Sequence, residues 1–225
     1  LARHGIASLR YDDRGVGQST GDFSSATTAA LATDALAGIK YLRGLKKFSC
    51  VGILGHSEGG SIAYMLGAGG NADFIVSLAG PACKFDTLMM LQLNGLSKVQ
   101  GAKEDVVHSV AETRQLLLSK DNSLWMKSAL DMNFSKFLPL IKCPVMALSG
   151  SNDLNVPAEF NMLSLQNGLP HNSKNVIKIY PGLNHLFQHS PTGNPLDDVN
   201  IDETMSEEVM NDVCTWMNKV TNNNH

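Results

Sequence analysis

Residues 49–60 read SCVGILGHSEGG, an apolar run that ends in a serine between small residues. Gly55, Ser57 and Gly59 fit the pattern GxSxG. In a sharp turn from a strand into a helix such a serine takes a strained backbone conformation, and we expect bulky side chains at the two glycine positions to collide with neighbouring backbone. The turn lifts the hydroxyl above the sheet and puts the Glu58 N–H at a helix N-terminus, where it can donate to an oxyanion. The stretch therefore predicts Ser57 as a nucleophile.

The same arrangement of an apolar run followed by a turn and a helical pattern recurs along the chain. Strands are predicted at residues 6–9, 51–54, 74–80, 144–150 and 176–180. Helices are predicted at residues 27–45, 60–68, 158–167 and 207–219. Strands that alternate with helices are typical of a mostly parallel sheet covered by helices on both faces. The predicted fold class is therefore α/β.

The segment 84–136 interrupts this alternation. It has no clear strand pattern, and its Met, Leu, Lys and Glu residues recur at helical spacing. We predict a helical cap inserted over the carboxyl edge of the sheet, between core segments 1–83 and 137–225. Within it, residues 88–91 (LMML) are interpreted first as the core of the cap and second as an adaptable wall for an acyl group.

Composition and charge exclude several classes of function. The 225 residues are 43% hydrophobic and 17% charged, which is typical of a globular protein. The net charge of -3 gives no electrostatic reason to expect nucleic acid as a partner. No apolar stretch approaches the roughly 20 residues needed to span a bilayer.

Four cysteines lie far apart in the chain, at Cys50, Cys83, Cys143 and Cys214. They lack CxxC spacing, and three of them sit in or beside apolar runs. We interpret them as core thiols rather than as a metal site or a disulfide framework.

A serine hydroxyl needs a base to take its proton and a third group to orient that base. Asp153 follows the strand predicted at 144–150, and His185 follows the strand predicted at 176–180, so the order is Ser, Asp, His. Taken alone, Asp153 would be interpreted as a turn residue and His185 as a loop histidine. Because all three follow strand ends, where parallel sheets form their ligand crevice, we predict a catalytic triad.

Four motifs now carry a family resemblance: LRYDDRGVGQSTG (residues 9–21), GHSEGG (55–60), SGSNDLNVP (149–157) and GLNHLFQ (182–188). With them the chain resembles the α/β-hydrolase superfamily of serine hydrolases, and more narrowly a bacterial esterase subgroup with a helical cap. Segments 192–193 and 201–206 also look like that subgroup, in which a long loop precedes the final helix. The resemblance maps the nucleophile to Ser57, the acid to Asp153 and the base to His185.

The resemblance implies hydrolysis of small-molecule carboxylic esters, with short acyl chains, and no metal or organic cofactor. A peptidase or thioesterase with the same triad is an alternative, as is a non-catalytic or truncated fragment. In this fold the second oxyanion donor follows an earlier strand than the first one predicted here, so we expect the core to be incomplete at its N-terminus. The compartment, cytoplasm or periplasm, stays open.

Other polar residues invite a catalytic interpretation that we do not favour. Asp12, Asp13 and Arg14 are expected to satisfy the backbone of a turn. His56 is expected to point away from the reacting centre. His185 and His189 have HxxxH spacing, but no third ligand is nearby, and His189 is expected at the surface or the pocket rim.

Overall fold

The computed structural model describes residues 1–222 and shows a four-stranded parallel sheet with helices. The strands are β1 (Ile53–His56), β2 (Ile75–Leu78), β3 (Val145–Gly150) and β4 (Val176–Tyr180). The helices are α1 (Thr28–Gly44), α2 (Glu58–Ala68), α3 (Phe85–Val99), α4 (Val110–Lys120), α5 (Leu124–Leu130), α6 (Ala158–Gly168) and α7 (Glu207–Asn222). Short 3-10 helices lie at Ala2–His4, Phe134–Lys136, Leu138–Leu140 and Asp198–Asn200. The last three residues of the predicted segment 137–225 lie outside the described part of the chain.

The strands are ordered β1-β2-β3-β4, and each pairs with the next in parallel. All four carboxyl ends therefore meet at one edge of the sheet. The Ser57 turn follows β1, the loop with Asp153 follows β3, and the loop with His185 follows β4. Topology alone thus brings the three predicted catalytic residues to the same edge.

Alternation along the strands divides the core into two apolar layers. In β3, Val145 and Ala147 pack with residues of α2 and α6 on one face. Met146 and Leu148 pack on the other face with α7 residues such as Trp216. Both sets are almost fully buried, so helices cover both faces of the sheet, as predicted for the α/β class.

The strand predicted at residues 6–9 is absent from the structure. Residues 6–10 lie outside any regular element, and Leu9 is exposed. A strand is held by hydrogen bonds to a neighbouring strand. Within the described residues the only partner of β1 is β2, and no strand flanks 6–10. An apolar run without a partner does not form a ladder, and this prediction was wrong.

The segment between β2 and β3 contains α3, α4 and α5 and, within its described residues, no strand. Its two ends are held together, because Phe85 N–H donates to Met132 O at 3.0 Å and Phe134 N–H donates to Cys83 O at 3.1 Å. Residue Asp86, at the start of α3, is buried and forms ion pairs with Lys84 at 2.9 Å and with Arg114 of α4 at 3.4 Å. These contacts make the helices one packed unit. The exact division into core and cap at 84–136 stays a prediction.

The cysteines are free thiols: Cys83 and Cys214 are buried, whereas Cys50 and Cys143 are half-buried. Burial raises the pKa of the Cys143 thiol to about 11 and of the Cys83 thiol to about 12, so both thiols are protonated near neutral pH. No helix among residues 1–222 has the length and apolar character that crossing a membrane requires.

Candidate active site

Ser57 lies in a sharp turn between β1 and α2. Its backbone has φ 53° and ψ -122°, a conformation that non-glycine residues rarely adopt. The Ser57 N–H donates to Leu78 O of β2 at 2.9 Å, and Gly60 N–H donates to Ser57 O at 2.9 Å to start the helix. Hydrogen bonds on both sides therefore hold the serine in its strained conformation.

The glycines around Ser57 differ in what they allow. A Cβ at Gly55 would overlap the carbonyl group of Gly59, so only glycine fits there. A Cβ at Gly59 would meet nothing within 4 Å, so the expected steric requirement at Gly59 was wrong. The second close approach belongs instead to Gly60, where a Cβ would overlap the Ser77 hydroxyl and lie 2.7 Å from Gly80 Cα. The helix packs tightly on the loop after β2 at that point.

Asp153 is buried in the loop after β3, with 3% of its surface exposed. Its Oδ1 accepts the N–H groups of Asn155 at 2.9 Å and Val156 at 2.8 Å. Its Oδ2 accepts from His185 Nδ1 at 2.9 Å. One carboxylate oxygen therefore stabilises the turn, as expected of an Asx residue, and the other holds the His185 ring.

His185 is brought to Asp153 because the two loops that carry them are hydrogen-bonded to each other. Asn152 N–H donates to Leu183 O at 2.9 Å, beside both residues. The buried Asn184 side chain accepts from Leu186 N–H at 3.0 Å and stabilises the turn that presents His185. Because Nδ1–H donates to the carboxylate, the lone pair of the ring lies on Nε2, the tautomer that a general base requires.

His56 lies against His185 rather than away from the reacting centre, contrary to our expectation. The two ring centroids are 4.6 Å apart, and His56 Nε2–H donates to the backbone oxygen of His185 at 2.9 Å. Burial lowers the pKa of His56, so it is neutral near pH 7. A neutral ring adds no positive charge beside His185, and its hydrogen bond holds the backbone of His185.

Ser57 and His185 line one cavity of about 320 Å³. Its other walls come mainly from α3, α5 and the loop after β3, and they include Leu88 and Met89 of the segment 88–91. Within the described residues, no hydrogen bond joins the Ser57 hydroxyl to the His185 ring. Hydrogen bonds of this kind are often long before substrate binds, so what relates the Ser57 hydroxyl to the His185 ring is the cavity that both side chains line.

The Glu58 side chain also lines this cavity. Its Oε1 accepts from the Thr28 hydroxyl at 2.5 Å and from Trp125 Nε1 at 2.8 Å. Thr28 is the first residue of α1, and Trp125 lies in α5. Glu58 therefore joins the elbow helix to two elements that are distant in sequence. The backbone N–H of Glu58 donates no hydrogen bond within the described residues.

The remaining polar candidates lie away from this cavity. Arg14 binds Asp34 at 2.7 Å, together with the Ala30 carbonyl of α1, and so stabilises its loop. His189 is exposed and its Nδ1 bonds to Glu203 at 2.8 Å. Among residues 1–222, no group of three or more His, Cys, Asp or Glu side chains is arranged to hold a metal ion.

Sequence reasoning missed Thr28, Trp125, Gln92 and Asn155, all of which line the cavity. Gln92 Nε2 donates to Asn155 Oδ1 at 3.2 Å and so links α3 to the loop after β3. No local motif marks Gln92 and Trp125, because they reach the cavity only through the packing of α3 and α5 on the sheet. Asn155 lies in the motif at residues 149–157, which we used only for Asp153. The acidic residue next to the serine, Glu58, was the one available signal; we gave its backbone N–H the main role and its side chain a secondary one in shaping the pocket.

Solved structures with this fold include esterases and a lipase. An esterase from Pyrococcus furiosus superposes with a TM-score of 0.61 at 17% identity, over 98% of this chain and 73% of that one. Est1E from Butyrivibrio proteoclasticus, solved with ferulic acid, gives 0.59 at 17% identity, over 92% and 74%. A monoacylglycerol lipase from Paleococcus ferrophilus gives 0.57 at 14% identity, over 91% and 80%. At these identities the likeness shows the fold.

Sequence comparison supplies the family. No curated protein matches the chain. A family model described as serine aminopeptidase, S33, matches residues 1–134, which is more than half of the 225 residues. That match covers the elbow at Ser57 and the helices of the segment 84–134. The chain therefore belongs to the serine aminopeptidase, S33, family, and it has the α/β-hydrolase fold of the esterases and the lipase described above.

Proposed function

We propose that this protein is a serine hydrolase that cleaves carboxylic esters through an acyl-enzyme on Ser57. The observation that carries the proposal is the 2.9 Å hydrogen bond from His185 Nδ1 to Asp153, with His185 and Ser57 lining one cavity. A serine beside a histidine becomes a nucleophile only if the histidine presents a free Nε2. The buried Asp153 carboxylate provides that condition.

The proposed reaction assigns one role to each of these groups. The Ser57 oxygen attacks the acyl carbon while His185 Nε2 takes the hydroxyl proton. His185 then gives this proton to the departing alkoxide, which leaves as the alcohol. Water attacks the acyl-enzyme, again through His185, and releases the carboxylic acid and the serine. The free Glu58 N–H, at the start of α2, is a donor for the oxyanion in both steps.

The cavity supports small esters as substrates. Its volume of about 320 Å³ is at the lower end of the roughly 300 to 1,000 Å³ typical of small-molecule sites. Apolar and aromatic side chains supply most of its walls, among them Leu88, Met89 and Val156. A short acyl chain fits such a space, and the proposal is therefore a short-chain esterase.

A peptidase is the second candidate, because the matching family model is described as a serine aminopeptidase. The same triad would attack an amide, and only the pocket and the leaving group would differ. Comparison of an aryl ester with an aminoacyl anilide that has a free amino group separates the two activities. Faster cleavage of the anilide would replace the esterase proposal with the peptidase one.

A fluorophosphonate probe and p-nitrophenyl esters of graded acyl length test the proposal directly. We expect covalent labelling of the wild-type protein, none of Ser57→Ala, and activity that declines as the acyl chain lengthens. Esterase activity that is equal in Ser57→Ala would reject the assigned nucleophile. Absence of both labelling and hydrolysis in the folded wild-type protein would reject the enzyme proposal.

A further inference from the structure

The Glu58 carboxylate is an unusual group in this cavity because no cation neutralises it. Its two donors, the Thr28 hydroxyl and the Trp125 indole N–H, are both neutral, and both bond to the same oxygen, Oε1. Within the described residues, Glu58 forms no ion pair and Oε2 accepts no hydrogen bond. The half-buried carboxylate therefore has an oxygen, Oε2, available to a positively charged group on a ligand.

The rest of the cavity wall has the same electrostatic character. None of its lining residues is Lys or Arg, and the only titratable side chains among them are Glu58 and His185. Behind His185 lies the buried carboxylate of Asp153. The site therefore favours a positive group on the substrate and opposes a negative one.

Aromatic rings line the cavity beside this carboxylate. Phe85 packs edge to face with Trp125 at 6.0 Å and with Phe134 at 6.4 Å between ring centroids. All three rings line the cavity, and Trp125 also donates to Glu58. Aromatic rings attract organic cations through their electron-rich faces, and they tolerate the alkyl groups around the nitrogen. A carboxylate next to several such rings is the chemistry that recognises an organic ammonium group.

We propose that Glu58 and the aromatic residues Phe85, Trp125 and Phe134 form a subsite for an organic ammonium group carried by the substrate. The subsite makes cationic esters better substrates than neutral esters of the same shape. This inference rests on the proposed function, since it concerns the specificity of the same cavity. The alternative is that Glu58 only ties α5 and α1 to the elbow helix.

Butyrylcholine and 3,3-dimethylbutyl butyrate test the proposal, because the two esters have the same shape. Butyrylcholine carries a positively charged nitrogen at the position where 3,3-dimethylbutyl butyrate carries a neutral carbon. The readout is the ratio of their kcat/KM values, compared between variants so that their different intrinsic reactivity cancels. Glu58→Gln keeps the oxygen that accepts from Thr28 and Trp125 and removes the charge. Glu104→Gln, at an exposed position, removes the same charge elsewhere and is the matched control.

We expect the ratio to fall about tenfold in Glu58→Gln, through KM, and to stay at the wild-type value in Glu104→Gln. A ratio that is unchanged in Glu58→Gln, while Ser57-dependent hydrolysis continues, would overturn the ammonium subsite and leave the esterase proposal in place. It would also favour the purely structural role, which needs only the acceptor oxygen.

Binding provides a readout that does not depend on turnover. Butyrylcholine is titrated calorimetrically into Ser57→Ala and into Ser57→Ala combined with Glu58→Gln. Binding that is about tenfold weaker in the double variant supports the subsite, even if the wild-type protein hydrolyses neither ester. Absence of hydrolysis would reject only the esterase proposal. Equal binding, or none to either protein, would overturn the subsite.

Discussion

Replacement of Asp153 by Asn tests the arrangement around His185 most sharply. The Asp153 carboxylate has two distinct tasks, since Oδ1 accepts two backbone N–H groups and Oδ2 accepts His185 Nδ1–H. In the asparagine variant the amide oxygen keeps the two backbone bonds, because the NH₂ group cannot accept them. The NH₂ group then faces Nδ1 of His185. The backbone therefore decides the orientation of the new side chain.

That orientation reverses the tautomer of the histidine. With an NH₂ group opposite, Nδ1 must accept, so the ring proton moves to Nε2 and the general base is lost. For triads of this kind the loss is roughly 10³ to 10⁴-fold in kcat, or about 4 to 5.5 kcal/mol in the activation free energy. The fold loses little, because the two backbone hydrogen bonds survive. The free energy of unfolding is expected to change by about 1 kcal/mol.

The assay is kcat for p-nitrophenyl butyrate at pH 7.5, with urea denaturation of the same preparations. Asp202→Asn, at an exposed position in the loop before α7, controls for the lost charge and should retain wild-type kcat. Ser57→Ala defines the background. An Asp153→Asn variant that is folded and keeps kcat within tenfold of wild type would refute the reasoning, and the acid would then have to be sought elsewhere.

Three further predictions concern stability and pH. Gly55→Ala should lower the free energy of unfolding by about 2 kcal/mol or more, because the new methyl group overlaps the Gly59 carbonyl. Gly59→Ala should change it by less than about 1 kcal/mol, and equal losses for the two variants in urea denaturation would contradict this. The buried Asn161 side chain accepts from Ala82 N–H and donates to Gly80 O, so Asn161→Ala should lower the free energy of unfolding by about 2 to 4 kcal/mol. Asn167→Ala, at the exposed end of the same helix, should lower it by about 0.5 kcal/mol or less, and similar losses for both variants would refute the role of these two hydrogen bonds. Burial lowers the pKa of His56 from its usual 6.5, so the unfolded chain binds the proton more tightly and stability is lost as pH falls through and below 6.5. This loss of stability should be smaller in His56→Gln, and parallel pH profiles of the urea midpoint in the two proteins would refute the prediction.

The Ser57 turn and the positions of β1 to β4 along the chain were readable from the sequence because they depend on local rules. A strand ending in Gly-His-Ser-Glu-Gly dictates a sharp turn, and apolar runs before Asp153 and His185 place both at one sheet edge. Five strands were predicted and four are present, because a strand requires a partner that no local pattern reports. The four helices that were predicted with bounds, now α1, α2, α6 and α7, lie within a few residues of those bounds, whereas α3, α4 and α5 were predicted only as one helical segment.

Sequence alone therefore determined the α/β class, the elbow at Ser57 and the candidates Asp153 and His185. Only the tertiary structure decided that Gly60 rather than Gly59 is sterically required, that His56 supports His185, and that Glu58 meets Thr28 and Trp125. The physical reason is the distance along the sequence over which each kind of interaction acts. Turn geometry and periodicity act over a few residues. The cavity, in contrast, is built by side chains as far apart in sequence as Thr28 and His185, which are 157 positions apart and come together through the packing of helices on the sheet.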